Sequence, residues 1–443
     1  MIYFPTEREM HGMKEKFKLT ALEKHWVLYD IGNSAFILLV STLLPIYFNA
    51  LASAGGLSES EYLAYWGYAG SISTILVAFI APICGTLSDR GGIKKPLFLV
   101  CLLLGAVGCA ALGAAWSWLS FLVIFVIAKV GYSSSIVFYD SMLTEVTTTA
   151  RMDTVSSMGY AYGYIGSVIP FVVCLAVVLG YEFIGISQTT ALIIAFVITA
   201  IWWIACSGPL LKSYRQTAMA TNVQGSAVID TFRQLGRSFK EVSKQKHIFI
   251  YLLAFFFFID GVYTIIDMAT AYGTALGLDT TGLLLALLVT QIVAFPCSII
   301  FGRLSAKYDT AKLIKVCIVC YTGITLFAVF LATQWQFWML AVMVGMFQGG
   351  IQALSRSYLG KIIPAERSGE YYGLMDICGK GASFVGTTLV AVVTQATDGM
   401  QWNLFGATVE NEGLAVGTLV VLFAIGFILF CKADKLNRER TRN

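Results

Sequence analysis

Seven charged side chains lie inside long apolar stretches of this sequence. They are Asp30, Lys129, Asp140, Asp260, Asp267, Asp376 and Lys380. A charge at the centre of a bilayer costs about 2.5–3.5 kcal/mol even on insertion scales, so each one should face the interior of a helix bundle and have a partner. Side chains of this kind can hold a charged solute or carry a proton.

Asp376 and Lys380 are four residues apart, so both lie on one face of a helix and can pair directly. A neutral structural pair and a substrate or gating role remain equally open for them. Lys129 has no acidic neighbour in its own stretch, and we expect it to pair with Asp30 or Asp260 across a cavity. An unpaired Lys129 could instead hold an anionic group of a substrate.

Asp260 and Asp267 share one face of a single helix, with Asp260 nearer the middle of the stretch. A proton-coupling site needs a carboxylate that gains a proton on one side of the membrane and releases it on the other. Asp260 is therefore our first candidate for coupling, and a simple hydrogen bond to a neighbouring helix is the alternative. The three histidines lie at or beyond the ends of apolar stretches, so a proton relay would use carboxylates.

Three amides lie in the same kinds of stretch as these charges. Gln348 and Gln352 are one helical turn apart, and Asn33 lies on the stretch of Asp30. Amides in membranes also join helices to one another, at about 1 kcal/mol each. Their grouping favours hydrogen bonds to a polar solute, with helix packing as the alternative for each amide alone.

The elements that must position these residues are membrane-spanning helices. The chain has 443 residues, of which 57% are hydrophobic and 13% are charged, and a span needs about 20 mostly apolar residues. Twelve stretches qualify, in two groups of six: 26–50, 62–85, 96–115, 119–143, 154–180, 188–208, 247–275, 281–303, 312–333, 336–360, 371–395 and 413–432. The predicted fold class is an all-α membrane protein of twelve transmembrane helices in two six-helix pseudo-repeats.

The basic residues predict the orientation of these spans. Apart from Lys129 and Lys380, every Lys and Arg, Arg356 included, falls at an edge or loop on one side of the twelve-span arrangement. Such residues mark the cytoplasmic side. We therefore expect both termini in the cytoplasm and a multi-pass protein of the cell membrane, without a cleaved signal sequence. The net charge of +4 reflects this bias and does not indicate nucleic-acid binding.

A loop motif recurs after the second and eighth stretches. The first copy contains Gly85, Asp89, Arg90 and Lys94, and the second contains Gly302 and Lys307 but has Ala306 in place of the acid. Glycine allows close helix approach, and the charges could latch neighbouring helices at the cytoplasmic edge. Basic residues that only set the topology are the alternative, which is equally open for the second copy.

The first copy resembles the signature loop of the major facilitator superfamily. The segments 26–36, 348–357 and 372–384, with shorter matches at Phe138-Tyr139, 160–166 and 258–262, resemble the vacuole-effluxer-like family within it. That resemblance implies a twelve-helix carrier and, from the yeast members, release of amino acids from the vacuole. Asp140 departs from the family, which usually has Asn there.

The expected organisation is a cytoplasmic segment (1–25), a six-helix bundle (26–211), a linker with an amphipathic helix (212–246), a second bundle (247–432) and a cytoplasmic tail (433–443). Halves of such carriers enclose a substrate site near the midplane. We expect a secondary transporter that exports a small polar or zwitterionic, amino-acid-like solute with protons as the coupling ion. The other partners are membrane lipids, and monomer is the default state.

Two alternatives stay open: a proton-coupled importer of a sugar, peptide or nucleoside-like solute, and a lipid scramblase or flippase. An enzyme is disfavoured, because the sequence has no nucleotide-binding glycine loop, metal-ligand spacing or nucleophile motif. We therefore expect no cofactor and no metal, and the ten cysteines, mostly isolated in apolar stretches, predict no disulfides. A receptor or scaffold role remains possible, although seven intramembrane charges are costly for one.

Overall fold

The computed structural model describes residues 18–89, 91–219, 240–397, 402–404, 407–409 and 411–442. Within these residues, twelve helices are long and apolar enough to cross a membrane, as the sequence predicted. Their bounds are α1 Ala21–Ala54, α2 Glu59–Ser88, α3 Lys94–Ala111, α4 Trp118–Val146, α5 Met152–Leu179, α6 Gln188–Ser213, α7 Lys246–Ala275, α8 Thr280–Leu304, α9 Thr310–Val329, α10 Gln334–Ile362, α11 Ser368–Ala396 and α12 Leu419–Arg442.

The remaining elements are short. Two single 3₁₀ turns and two short helices lie at Leu112–Ala114, Ala365–Arg367, Tyr181–Ile184 and Asn411–Gly417. Between α11 and α12, β1 Trp402–Leu404 pairs antiparallel with β2 Ala407–Val409, with Trp402 opposite Val409. The fold is therefore all-helical apart from this small hairpin.

Polar side chains fix where several helices begin. Thr20 and Glu23 form a capping box at the start of α1, and Thr333 and Gln336 form one at the start of α10. In such a box the hydroxyl and the side chain three residues on satisfy backbone N–H groups that the first turn leaves free. These caps explain why α1 and α10 begin at Ala21 and Gln334, a few residues before the predicted apolar stretches.

Each half of the chain has its own hydrophobic core. One cluster of buried side chains comes from residues 26–214 and a second comes from residues 242–433. Trp203 in the first and Phe423 in the second are fully buried. Since the two cores draw on separate halves, the space between the halves is left for polar side chains.

In the segment predicted to be a cytoplasmic tail, α12 continues to Arg442. Asp434 accepts hydrogen bonds from Lys315 of α9 (2.6 Å) and from Arg438 one turn on (3.0 Å). Arg438 also pairs with Asp309. These ion pairs hold the last turns of α12 against the start of α9.

Residues 220–239, which include most of the predicted amphipathic stretch of the linker, lie outside the described residues, as does Arg90. The start of the linker is described, and it packs under the N-terminal half. Gln216 donates to the Ser88 carbonyl oxygen (2.8 Å), and the Thr217 N–H donates to Glu145 (2.6 Å). We call the helix ends that are predicted to face the cytoplasm the inner ends.

Candidate solute cavity and its inner gate

A cavity of about 400 Å³ lies between the two halves of the chain. Helices α1, α4 and α5 of the first half and α7, α8, α10 and α11 of the second contribute side chains to it. Its polar lining consists of Asp30, Asn33, Ser34, Tyr132, Ser133, Tyr139, Asp140, Tyr160, Tyr164, Ser167, Tyr263, Gln291, Gln348, Gln352, Arg356, Tyr372, Asp376 and Lys380. Seven of the ten predicted substrate or coupling residues are therefore brought together here.

Arg356 of α10 is the charged group that joins the two halves at this cavity. Its side chain is 4% exposed, and its Nη1 donates to Asp140 Oδ1 of α4 at 2.9 Å. The same nitrogen lies 3.6 Å from Asp30 Oδ2 of α1. Nε and Nη2 donate to the hydroxyl and carbonyl oxygens of Ser156 on α5, both at 2.9 Å.

Three aromatic rings of the first half surround the same guanidinium group. Its central carbon lies 4.4 Å from the ring centroid of Tyr160, 4.7 Å from that of Trp26 and 5.4 Å from that of Tyr139. These distances are within the range of cation–π attraction. Tyr139 also donates to Asp30 Oδ2 (3.0 Å), and the Trp26 indole N–H donates to the Tyr139 carbonyl oxygen (3.0 Å).

Arg356 corrects a sequence-based expectation, because it was counted among the basic residues that mark the cytoplasmic edge. The structure buries it inside α10, which continues to Ile362. Its sequence signal was the run of small and polar residues from Gln352 to Ser357, one helical turn from the predicted amides. The sequence alone did not predict that Arg356 contacts the carboxylates of Asp30 and Asp140, since they lie on other helices.

The three amides selected from the sequence, Asn33, Gln348 and Gln352, are in the lining of the cavity. Gln352 Oε1 accepts a hydrogen bond from Tyr164 of α5 at 3.3 Å. This bond joins the two halves one helical turn along α10 from Arg356. Among the described residues, Gln348 Oε1 and Asn33 Nδ2 make no hydrogen bond of normal geometry, although the two side chains lie close enough to interact with Tyr164 and Asp30 respectively. Both amides thus keep hydrogen-bonding capacity at the wall of the cavity.

Asp376 and Lys380 form the direct pair that their spacing predicts, with 2.6 Å from Lys380 Nζ to Asp376 Oδ2. Lys129 differs from expectation. Asp30 interacts with Arg356 and Asp260 lies elsewhere, so neither is its partner. Asp267 of α7 is the acid whose charge attracts Lys129, although the two groups form no ion pair within 4.0 Å in the described part of the chain.

Asp260 is buried between α7 and α11 and is not among the residues that line the cavity. Its Oδ1 accepts the N–H of Gly386 (2.9 Å) and the hydroxyl of Thr264 (3.2 Å). Its Oδ2 has no hydrogen-bond partner among the described residues. A Cβ on Gly386 would lie 2.5 Å from Oδ1, so only glycine allows this approach.

Helices α2 and α11 meet at their inner ends through Asp89. Its two carboxylate oxygens accept the backbone N–H groups of Gly369 (2.8 Å) and Glu370 (2.9 Å) in the first turn of α11. A carboxylate is favourable at a helix N-terminus. Gly85 is required for this contact, since a Cβ on it would lie 2.2 Å from the Gly369 carbonyl oxygen.

Lys94, which is fully buried, extends this contact. Its Nζ donates to Glu145 of α4 (2.8 Å) and to Ser368 of α11 (3.0 Å), and it lies 4.0 Å from Asp89. Burial raises the pKa of Asp89 to about 7, against the opposing effects of the Lys94 ammonium group and the two backbone N–H donors. We call Gly85, Asp89, Lys94 and the first turn of α11 the α2–α11 contact.

The second copy of the loop motif behaves differently. A Cβ on Gly302 would lie 2.9 Å from Ser157 Cβ, and Thr154 of α5 donates to the Gly302 carbonyl oxygen (3.0 Å). Lys307 is exposed and makes no ion pair in the described part of the chain. The glycine thus marks a close contact of α5 with α8, and the lysine fits the topology-setting alternative.

At this second contact the charged connection comes from residues that the sequence analysis did not select. Asp153 in the first turn of α5 accepts hydrogen bonds from Thr310 (2.6 Å), Ser357 (2.6 Å) and Lys361 (2.5 Å) of the other half. In the sequence, Asp153 lies two residues after Arg151 and just before the predicted fifth span, in a segment predicted to be cytoplasmic. Nothing in the local sequence distinguishes it from an ordinary acidic residue near a helix start.

Comparison with known proteins agrees with this architecture. A solved structure titled as a bacterial homologue of the iron transporter ferroportin in an outward-facing state superposes with a TM-score of 0.70 at 14% identity, over 94% of this chain and 98% of that one. A major facilitator transporter, FucP, solved in the outward conformation gives 0.67 at 15% identity, over 93% and 97% of the two chains.

Sequence comparison is more specific. "Uncharacterized MFS-type transporter YxiO" of Bacillus subtilis is 39% identical over 93% of this chain and 94% of its own length. "Autophagy-related protein 22-1" of Aspergillus fumigatus is 26% identical over 57% of this chain, which spans 45% of that relative. The family described as "Vacuole effluxer Atg22 like" matches residues 143–430. This chain therefore belongs to the Atg22-like vacuole effluxer family of major facilitator transporters.

Proposed function

We propose that this transporter exports a small zwitterionic, amino-acid-like solute across the cell membrane by proton-coupled alternating access. The observation that carries the proposal is the cavity between the halves, which is lined by two ion-paired sets of charged groups, Arg356 with Asp30 and Asp140, and Lys380 with Asp376. Arg356 and Lys380 are its cations, and Asp30, Asp140 and Asp376 are its anions. A zwitterion needs both kinds of group at fixed positions.

The size and polarity of the cavity support this class of solute. A volume of about 400 Å³ lies within the usual range of about 300–1,000 Å³ for small-molecule sites. The amides of Gln348 and Asn33 add hydrogen-bonding groups to the cavity lining for a polar group of the solute. The exposed surface of this cavity is largely apolar, as a lipid scramblase would also require, but five charged side chains line it where a scramblase would need a single headgroup site.

The contacts at the inner ends support alternating access. The α2–α11 contact, the Asp153 cluster and Arg356 all join the two halves between the cavity and the predicted cytoplasm. Halves of this fold rock as rigid bodies around a central site. The protein is then closed to the cytoplasm here, and two solved structures of similar fold carry outward-facing titles.

Proton coupling is assigned to carboxylates. His25 and His247 lie at the inner ends of α1 and α7, and neither lines the cavity. Asp260 remains the first candidate, because it is fully buried, one of its oxygens has no partner and no cation contacts it among the described residues. Asp30 and Asp140 are the alternatives, since Arg356 links their charge to closure of the inner end.

Export, and amino acids as cargo, rest on the relatives. The matching family is described as a vacuole effluxer, and export is carried over from that description alone. The cavity itself supports the zwitterionic class and is neutral about direction.

The first experiment measures solute-dependent proton movement in liposomes that contain the purified protein, with a panel of amino acids, sugars and nucleosides. The proposal expects proton movement for at least one amino acid and its loss in Asp260→Asn. Glu439→Gln is the matched control, because it neutralises an exposed carboxylate (56% exposed) at the inner surface. Solute movement without protons would remove the coupling, and response only to sugars or nucleosides would favour the importer alternative.

A further inference from the structure

The rings and carboxylates around the Arg356 guanidinium come from one half of the chain, and Arg356 comes from the other. Trp26, Tyr139 and Tyr160 supply the rings and Asp30 and Asp140 supply the carboxylates, and all five belong to the N-terminal half. Arg356 itself belongs to α10 of the C-terminal half. We call these five residues the cation cage. The cage and its occupant therefore separate when the halves move apart.

A vacant cage would be unfavourable as it stands. Asp30 and Asp140 lie at the cavity wall with side chains 10% and 21% exposed, and Tyr139 donates a hydrogen bond to Asp30. Removing one partner from a largely buried ion pair is destabilising, because it leaves the other charge uncompensated. When the inner end opens, the two carboxylates lose the guanidinium group, and their charge favours another cation in its place.

The chemistry of the cage selects which cation fits. Aromatic rings with adjacent carboxylates are the usual recognition elements for organic ammonium and guanidinium groups. We propose that the cation cage binds the ammonium or guanidinium group of the transported solute when the inner end is open, and that Arg356 replaces that group when the inner end closes. This inference rests on the proposed function, since it assumes alternating access.

This replacement of the solute's cation by Arg356 would be a step of the transport cycle that can run in either direction. In the inward-open state the solute's cation lies in the cage and Arg356 is withdrawn with α10. As the halves close, the guanidinium enters between Asp140 and Ser156 and displaces the solute's cation into the cavity. The solute's carboxylate would then be held by Lys380 of the lining, in exchange for the Asp376 carboxylate with which Lys380 pairs.

The test uses methylguanidinium as the cationic probe and methylurea as its neutral analogue of similar shape. In Arg356→Ala the cage loses its own occupant, and we expect methylguanidinium to bind at least about tenfold more tightly than methylurea by calorimetry, a modest demand for several cation–π and ionic contacts. Binding should also restore slow hydrogen exchange at residues 152–163 and 350–362. Wild type, with Arg356 in place, should show no such preference.

Lys361→Ala is the matched control. It removes another basic residue that joins the halves at the inner end, through Asp153, and leaves the cage occupied. No preference for methylguanidinium is expected. Gly369→Ala, which opens the inner end far from the cage, covers the case in which Arg356→Ala does not fold, and it should bind methylguanidinium as Arg356→Ala does.

Equal binding of the two probes to both opened variants would overturn the inference. So would a preference for methylguanidinium of the same size in Lys361→Ala and in wild type. If acid pH rather than methylguanidinium restores slow exchange in Arg356→Ala, protons fill the vacated cage and the inference is wrong. None of these measurements requires transport, so failure of the proposed cargo in the liposome assay would be a separate result.

Discussion

Gly369 is the position where the smallest change should open the inner end. A methyl group there would lie 2.2 Å from Ser88 Oγ, 2.3 Å from the Gly85 carbonyl oxygen and 2.8 Å from Asp89 Oδ1. Normal contact between such atoms is about 3.5 Å, so α2 and α11 must separate by about 1 Å. We predict that Gly369→Ala destabilises the closed inner end.

The magnitude follows from the hydrogen bonds that this separation breaks. The N–H groups of Gly369 and Glu370 donate to Asp89 at 2.8 and 2.9 Å, and an added 1 Å takes them beyond hydrogen-bond range. A hydrogen bond contributes about 0.5–1.5 kcal/mol net, and the buried, partly neutral Asp89 carboxyl warrants no larger figure. Loss of both weakens the closed state by about 1–3 kcal/mol, and even the lower figure shifts the equilibrium about fivefold.

Hydrogen exchange read by mass spectrometry measures this without labels. Residues 82–89 and 368–375 should exchange faster in Gly369→Ala than in wild type, and the core of each half should be unchanged. Gly323→Ala is the control, because its Cβ would meet nothing within 4 Å in α9, and alanine there should favour the helix by about 1 kcal/mol. If Gly369→Ala keeps wild-type exchange at both segments, the α2–α11 contact does not hold the inner end closed.

Three further predictions concern single groups. Because the pKa of Asp89 is raised to about 7 in the closed state, closure takes up a proton, and the closed state loses this stabilisation as the pH rises through 7. Hydrogen exchange at residues 368–375, corrected for intrinsic rates, should therefore become faster from pH 6 to pH 8. Asp89→Asn should not show this change. Asp376→Asn alone should lower thermal stability more than the double variant Asp376→Asn/Lys380→Met does, with a coupling free energy between the two sites of about 1–3 kcal/mol. Additive effects of the two substitutions would contradict a direct ion pair. Trp203→Ala, at a fully buried ring, should cost about 3–5 kcal/mol in detergent unfolding, whereas Trp335→Ala, 71% exposed, should cost little, and equal losses would contradict the assigned burial.

The helices were predictable because the signal for each is local. An apolar stretch of about 20 residues has few alternatives to a span in a bilayer, since each backbone polar group must be satisfied within the segment. The same local rule predicted the pair of Asp376 and Lys380, which one helical turn brings together. It also placed Asp30, Asp140, Gln348 and Gln352 on spans that line one cavity between the halves.

Contacts between helices were not predictable in this way. Lys129 was expected to pair with Asp30 or Asp260, yet Asp30 lies beside Arg356 and Asp260 is packed against Gly386 of α11. Each partner depends on the rotation and depth of a helix far away in the sequence. Those quantities are set by close packing over whole helices, which one sequence does not display residue by residue.

The sequence by itself therefore determined the twelve spans, their predicted orientation, the family and the set of costly charges. The tertiary structure decided which charges meet. It brought Arg356, which reads as a residue of the cytoplasmic edge, into a cage of rings and carboxylates from the other half. The physical reason is that apolar length is a property of one segment, whereas a partner for a buried charge exists only after two halves pack together.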